Sequence, residues 1–143
     1  MDKMHLAAFA AAMAAVESVL ILFSILPPIS SYSPMTIAFM LARLLAISYA
    51  GWLCAKDGLK SAAYAGAIVS ASSTAVFIFA SAIGRSAGVP VLGIPAPDIG
   101  SLFLILAINA AMNILLGAFL AVIAAVVRLK MGAPMGSKGK RAR

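Results

Sequence analysis

Apolar residues run almost unbroken through four stretches of this chain, roughly 5–26, 35–55, 61–84 and 99–127, and polar residues gather between them. Each stretch reaches the ~20 apolar residues that a membrane-crossing helix needs. The pattern predicts an all-α integral membrane protein, a four-helix transmembrane bundle running up-down-up-down. Residues 1–131 form its single domain, and residues 132–143 are a basic tail without apolar periodicity, expected to be disordered.

Proline placement supports continuous helices. All seven prolines (Pro27, Pro28, Pro34, Pro90, Pro95, Pro97 and Pro134) fall in or beside the expected connections. Proline removes a backbone donor and clashes with the preceding turn, so its absence from the spans argues against transporters built on broken helices. Residues 27–34 make a short uncharged turn, which predicts antiparallel packing of the first two helices. Residues 56–60 make a tight turn in which Gly58 is expected to supply a left-handed cap. The longest loop is 85–98. The fourth stretch, at ~43 Å of helix, exceeds the ~30 Å hydrocarbon core and should tilt or protrude, at its outer end.

The first stretch also invites comparison with a cleaved signal peptide. It is longer than the ~7–15-residue core of one, carries Glu17 mid-length, and ends in two prolines without a small-residue cleavage motif. It is expected to be a span.

Charge then orients the bundle. With four crossings, Lys3, Lys56, Lys60, Arg128, Lys130, Lys138, Lys140, Arg141 and Arg143 share one side; the opposite loops hold only Arg85, and Arg43 lies within a span. Lys and Arg accumulate in cytoplasmic loops, so both termini are expected in the cytoplasm of a multi-pass cell-membrane protein. Trp52 and Tyr64 at one level and Tyr32 at the other suit the amphipathic headgroup zone. At 64% hydrophobic residues and a mean hydropathy of +1.09, the chain is far more apolar than the ~45–50% of soluble domains. Its net charge of +7 is therefore better explained by topology than by nucleic acid, for which no specific contact is expected. In the tail, Lys138, Lys140, Arg141 and Arg143 are expected to attract anionic lipid headgroups, at ~1 kcal/mol each.

Small residues recur at four-residue intervals: Ala7, Ala11 and Ala15; Ala62, Gly66 and Ser70; Gly117, Ala121 and Ala125. Such stripes let helices approach closely in lipid, and tight bundle packing is the expectation for all three.

The candidate chemistry lies in a polar layer. Glu17 stands ten residues before Pro27, Arg43 nine after Pro34, Thr74 ten before Gly84, and Asn109 ten after Ile99. Each count gives a depth of ~13–15 Å, near the bilayer centre, with Ser18, Ser70, Ser72, Ser73 and Asn113 within about one turn. A lone arginine at that depth costs ~2.5–3.5 kcal/mol on insertion scales, and its guanidinium keeps its charge. A Glu17–Arg43 pair, bidentate in geometry, satisfies both groups, and the amides of Asn109 and Asn113 are expected to serve what the pair leaves open. Glu17, Arg43, Thr74, Asn109 and Asn113 are thus the candidate layer. It can be structural, fixing helix register, or functional, as a binding site or proton relay. Ser70, Ser72, Ser73 and Thr74 are expected to bond their own helix carbonyls.

Other groups add little. His5 is the only histidine, and metal ligation needs several convergent ligands, so neither a metal nor another cofactor is expected. Of four carboxylates, Asp2, Asp57 and Asp98 belong to termini or loops, leaving no acid pair inside the membrane. No catalytic triad or phosphate loop is present, and an enzyme is not expected. Cys54, the single cysteine, has no partner for an internal disulfide. With small multidrug transporters the chain shares only its size and a first-helix glutamate at Ala14-Ala15-Val16-Glu17. Arg43 fits poorly beside a cation-binding glutamate, and the one-sided charge opposes dual insertion. The expectation is a non-enzymatic accessory or scaffold component of the membrane, self-associating or part of a larger complex. The alternative is a small proton-coupled transporter or permeation protein using the polar layer.

Overall fold

The computed structural model describes residues 3–93 and 98–132. They form four long helices, α1 (Lys3–Leu22), α2 (Pro34–Cys54), α3 (Leu59–Ser86) and α4 (Ile99–Gly132), with 3-10 turns at Ile29–Ser31 and Ala55–Asp57. No strand occurs among the described residues. All four helices are long and apolar enough to cross a membrane. The tail residues Lys138, Lys140, Arg141 and Arg143, with Pro95, Pro97 and Pro134, lie outside the described residues.

Local chemistry decides where each helix ends. α1 stops four residues earlier than its apolar run, because Ser24 turns left-handed (φ 58). The N–H groups of Ile25 and Leu26 then return to the Leu20 carbonyl at 2.8 and 3.1 Å, a closure of the helix C-terminus before Pro27. α2 starts at Pro34 with Ser33 as cap, whose Oγ accepts from the Thr36 N–H at 3.2 Å; proline suits the first helical position. Gly58 adopts φ 96, ψ 165, so the expected left-handed helical cap is replaced by a still more extended conformation essentially reserved for glycine. α3 ends at Ser86; Gly88 then turns left-handed (φ 72), and the Val89 N–H reaches back to the Gly84 carbonyl at 2.7 Å.

Asp98 opens α4: the Ser101 N–H donates to its Oδ1 at 2.7 Å and the Ser101 hydroxyl to its Oδ2 at 2.8 Å. Those bonds hold the Asp98 carboxyl below its ordinary value, the backbone N–H contributing most. At its other end α4 runs past the apolar stretch to Gly132. Arg128 does not break it, because the guanidinium folds onto α2: Nη1 donates to the Trp52 carbonyl and, at 3.4 Å, to the Leu53 carbonyl. Its carbon lies 5.7 Å from the Trp52 ring centroid. A cation at a helix C-terminus meets the negative end of the dipole.

The helices alternate in direction. One cluster joins Leu6 and Ala10 of α1, Ala46 and Ala50 of α2, Val69 of α3 and Ala121 of α4. A second joins Ile21, Ala80 and Val91 at the opposite end. α1 packs on α2 and α3, α4 packs on the same two, and α2 also touches α3, while α1 and α4 share no extensive contact. Around the bundle the order is therefore α1–α2–α4–α3.

Small residues set the crossings. A methyl group on Gly51 would overlap the Ala121 backbone, and one on Gly66 would overlap the Ala121 side chain and the Gly117 carbonyl. The α3 and α4 stripes are buried as expected. On α1 the buried small residues are Ala7, Ala10 and Ala14, with Ala11 and Ala15 half-buried. Mixed three- and four-residue steps follow the 3.6-residue turn, whereas a strict four-residue step drifts by ~40° each time.

Candidate functional site, a buried ion pair in a polar layer

α1 carries Glu17 on the same buried face as Ala10, Ala14 and Ile21, so its carboxylate enters the bundle and has no exposed surface. From α2, Arg43 reaches across, and its Nη1 donates to Glu17 Oε2. The arginine side chain is 11% exposed. On its third side the guanidinium lies over the Phe77 ring of α3, 4.6 Å from the centroid, a cation–π contact. Three helices thus converge on one charged centre.

The pair is joined through one oxygen, not by the expected two-bond fork. Glu17 Oε1 has no hydrogen-bond partner among the described residues, and the buried hydroxyls of Ser18 and Ser81 share that condition. One guanidinium nitrogen, Nη1, meets the carboxylate, while the Arg43 carbon stands over the Phe77 face.

Of the five candidate residues, Glu17 and Arg43 meet and Thr74 is buried with them in the bundle. The two asparagines are not part of the centre. Both are exposed, and Asn109 Nδ2 donates to the carbonyl of Ile105 on its own helix at 3.1 Å. Their expected service to the ion pair is therefore corrected. Asn109 lies at the right height but ~120° around α4 from Ala121, the accumulated drift of three four-residue steps.

The serines divide. Ser73 donates to the Ser70 carbonyl of its own helix at 2.9 Å. Ser72 donates both to Val69 at 2.8 Å and to the Ala7 carbonyl of α1 at 3.0 Å. Ser70 donates to the Asn113 carbonyl of α4 at 2.7 Å. Two of the three therefore tie helices together, which own-helix bonding alone did not predict. Their carbonyl partners are reachable because Gly66, Gly117 and the alanines allow the backbones to approach.

Phe77 and Ser81 were absent from the candidate layer. Both follow Thr74 at helical spacing, three and seven residues on, which is the signal that marks them. Elsewhere, an open groove of about 300 Å³ lies between α1 and α2, lined by Leu6, Phe9, Ala42, Leu45, Ala46 and Tyr49. Neither member of the ion pair lines it. His5 is exposed, Cys54 is half-buried with a free thiol, and no three His, Cys, Asp or Glu side chains gather among the described residues.

Compared with known proteins, the chain matches no family model, no curated protein and no solved structure.

Proposed function

We propose that this chain is a multi-pass protein of the cell membrane, with both termini in the cytoplasm, acting as a non-enzymatic accessory or scaffold component. The observation that carries this reading is the enclosure of Glu17. Its carboxylate is wholly buried, held by Arg43, and the arginine is covered by Phe77. Breaking a buried pair by removing one partner costs ~3–5 kcal/mol, so such a centre enforces one arrangement of α1, α2 and α3. Rigid presentation of an outer surface is what a scaffold requires.

Membrane residence rests on the bundle's exterior. Leu45, Phe79 and Phe103 are among many large apolar side chains that stand more than two-thirds exposed, a surface unsuited to water. Orientation rests on Lys3, Lys56, Lys60, Arg128 and Lys130 at one end against Arg85 at the other.

A second reading, a proton-coupled transporter, is favoured by one observation: the unpaired Glu17 Oε1 and Ser18 hydroxyl adjoin the charged centre. Reconstituted vesicles under an imposed pH gradient separate the two. The scaffold reading predicts the same proton leak for the native chain and for Glu17→Gln. A leak abolished by that substitution overturns it.

A further inference from the structure

We infer that α4 pairs with α4 of a second copy of this chain, through the face that carries Asn109 and Asn113. This goes beyond the scaffold reading and rests on its placement of the chain in a membrane. α4 is the least covered helix: in its most apolar 18-residue stretch 17% is buried, against 39% for α1, 28% for α2 and 39% for α3. Yet this helix carries the only two carboxamide side chains of the sequence, Asn109 and Asn113, near mid-span.

Their polar groups are unspent. Asn109 uses one donor on the Ile105 carbonyl and leaves its Oδ1 open. The Asn113 carboxamide makes no hydrogen bond among the described residues; only its backbone carbonyl is used, by Ser70. Lipid offers neither donor nor acceptor, and an unsatisfied amide in hydrocarbon is costly. Interhelical bonds between such side chains are an established source of helix association in membranes.

The occupant follows from the chemistry of the amide, which is donor and acceptor at once. Copies inserted in the same direction are related by a two-fold axis along the membrane normal. That axis runs their α4 helices parallel and sets each asparagine opposite its own counterpart. A carboxamide satisfies its counterpart, whereas a charged side chain would repel it. Two such contacts ~6 Å apart along the helix fix register, as a buried asparagine does in parallel coiled coils.

The test is the mass of the full chain in lipid nanodiscs, with disulfide trapping in a Cys54→Ala background. The native chain is expected to be a dimer. Asn109→Leu/Asn113→Leu is expected to weaken dimerisation about tenfold or more, and Asn113→Gln to retain it. Leu116→Cys, 51% exposed on the asparagine side, is expected to cross-link to itself. Leu115→Cys, 66% exposed and ~100° further round, is expected not to. A membrane-resident monomer, equal cross-linking at both positions, a dimer unaffected by the double leucine variant, or a different polypeptide held at this face overturns the inference. Recovery of the chain as a soluble protein overturns the membrane reading as well.

Discussion

Ala121 of α4 lies so close to Gly66 of α3 that a single methyl group on the glycine would overlap its side chain, and the Gly117 carbonyl blocks the other escape. Backbone proximity at this crossing is what lets Ser70 reach the Asn113 carbonyl. Gly66→Ala is expected to force α3 and α4 apart and destabilise the bundle by about 1–3 kcal/mol, read by unfolding in mixed micelles. Adding Ala121→Gly recovers only part, because the Gly117 carbonyl stays in place. An undiminished unfolding midpoint for Gly66→Ala contradicts the crossing.

Arg128 secures the far end of α4 to the last turn of α2. Arg128→Met keeps the aliphatic packing and removes the bonds to the α2 carbonyls and the stacking on Trp52. A loss of about 1 kcal/mol is expected. Trp52 is the only tryptophan of the chain, so its fluorescence reports the change directly. Arg128→Lys retains the charge but lacks the planar fork and should restore the stability only in part. Identical emission and stability in all three proteins contradicts the contact.

At the start of α4 the prediction concerns pH. The Asp98 carboxylate is favoured in the fold by the Ser101 N–H and hydroxyl, so its folded value lies below the ordinary 3.8. A depressed acid contributes stability above its unfolded value and loses that contribution as pH falls through the folded one. The carboxyl-carbon resonance of Asp98 is expected to titrate with a midpoint below 3.8, and Ser101→Ala to move that midpoint upward. A midpoint at or above 3.8 in the native chain contradicts the cap.

Phe77 is the uncharged member of the central cluster. Phe77→Leu retains apolar volume and removes the ring face beneath Arg43. Loss of a desolvated cation–π contact is expected to cost about 1–2 kcal/mol, and the cost should vanish in an Arg43→Met background. An equal loss in both backgrounds assigns Phe77 to packing alone.

The helices were legible because their signals are one-dimensional. Apolar length located α1 to α4, and Pro27, Pro34 and Gly58 located the turns. The limits shifted where a backbone conformation intervened, as at Ser24 with its positive φ, or where a tertiary contact extended a helix, as Arg128 does. The Glu17–Arg43 pair was legible because residue counting from helix ends gives depth, and two opposite charges at one depth on adjacent helices have every reason to meet. Asn109 and Asn113 share that depth but not that direction. Height follows from counting, whereas azimuth depends on which neighbours a helix selects. Here α4 faces α2 and α3, and not α1. Phe77 carries no polar signal in the sequence, although its three-residue spacing from Thr74 places it on the same side of α3.

The ion pair itself is tested most directly by a double-mutant cycle on Glu17→Gln and Arg43→Met, read as unfolding free energy in lipid. Each single variant is expected to lose about 3–5 kcal/mol and to fall in membrane abundance. The double variant should lose clearly less than the two losses combined, and exchanging the two charges should restore abundance. Losses that add to within about 0.5 kcal/mol, with no recovery on exchange, would show that the two side chains do not act on one another.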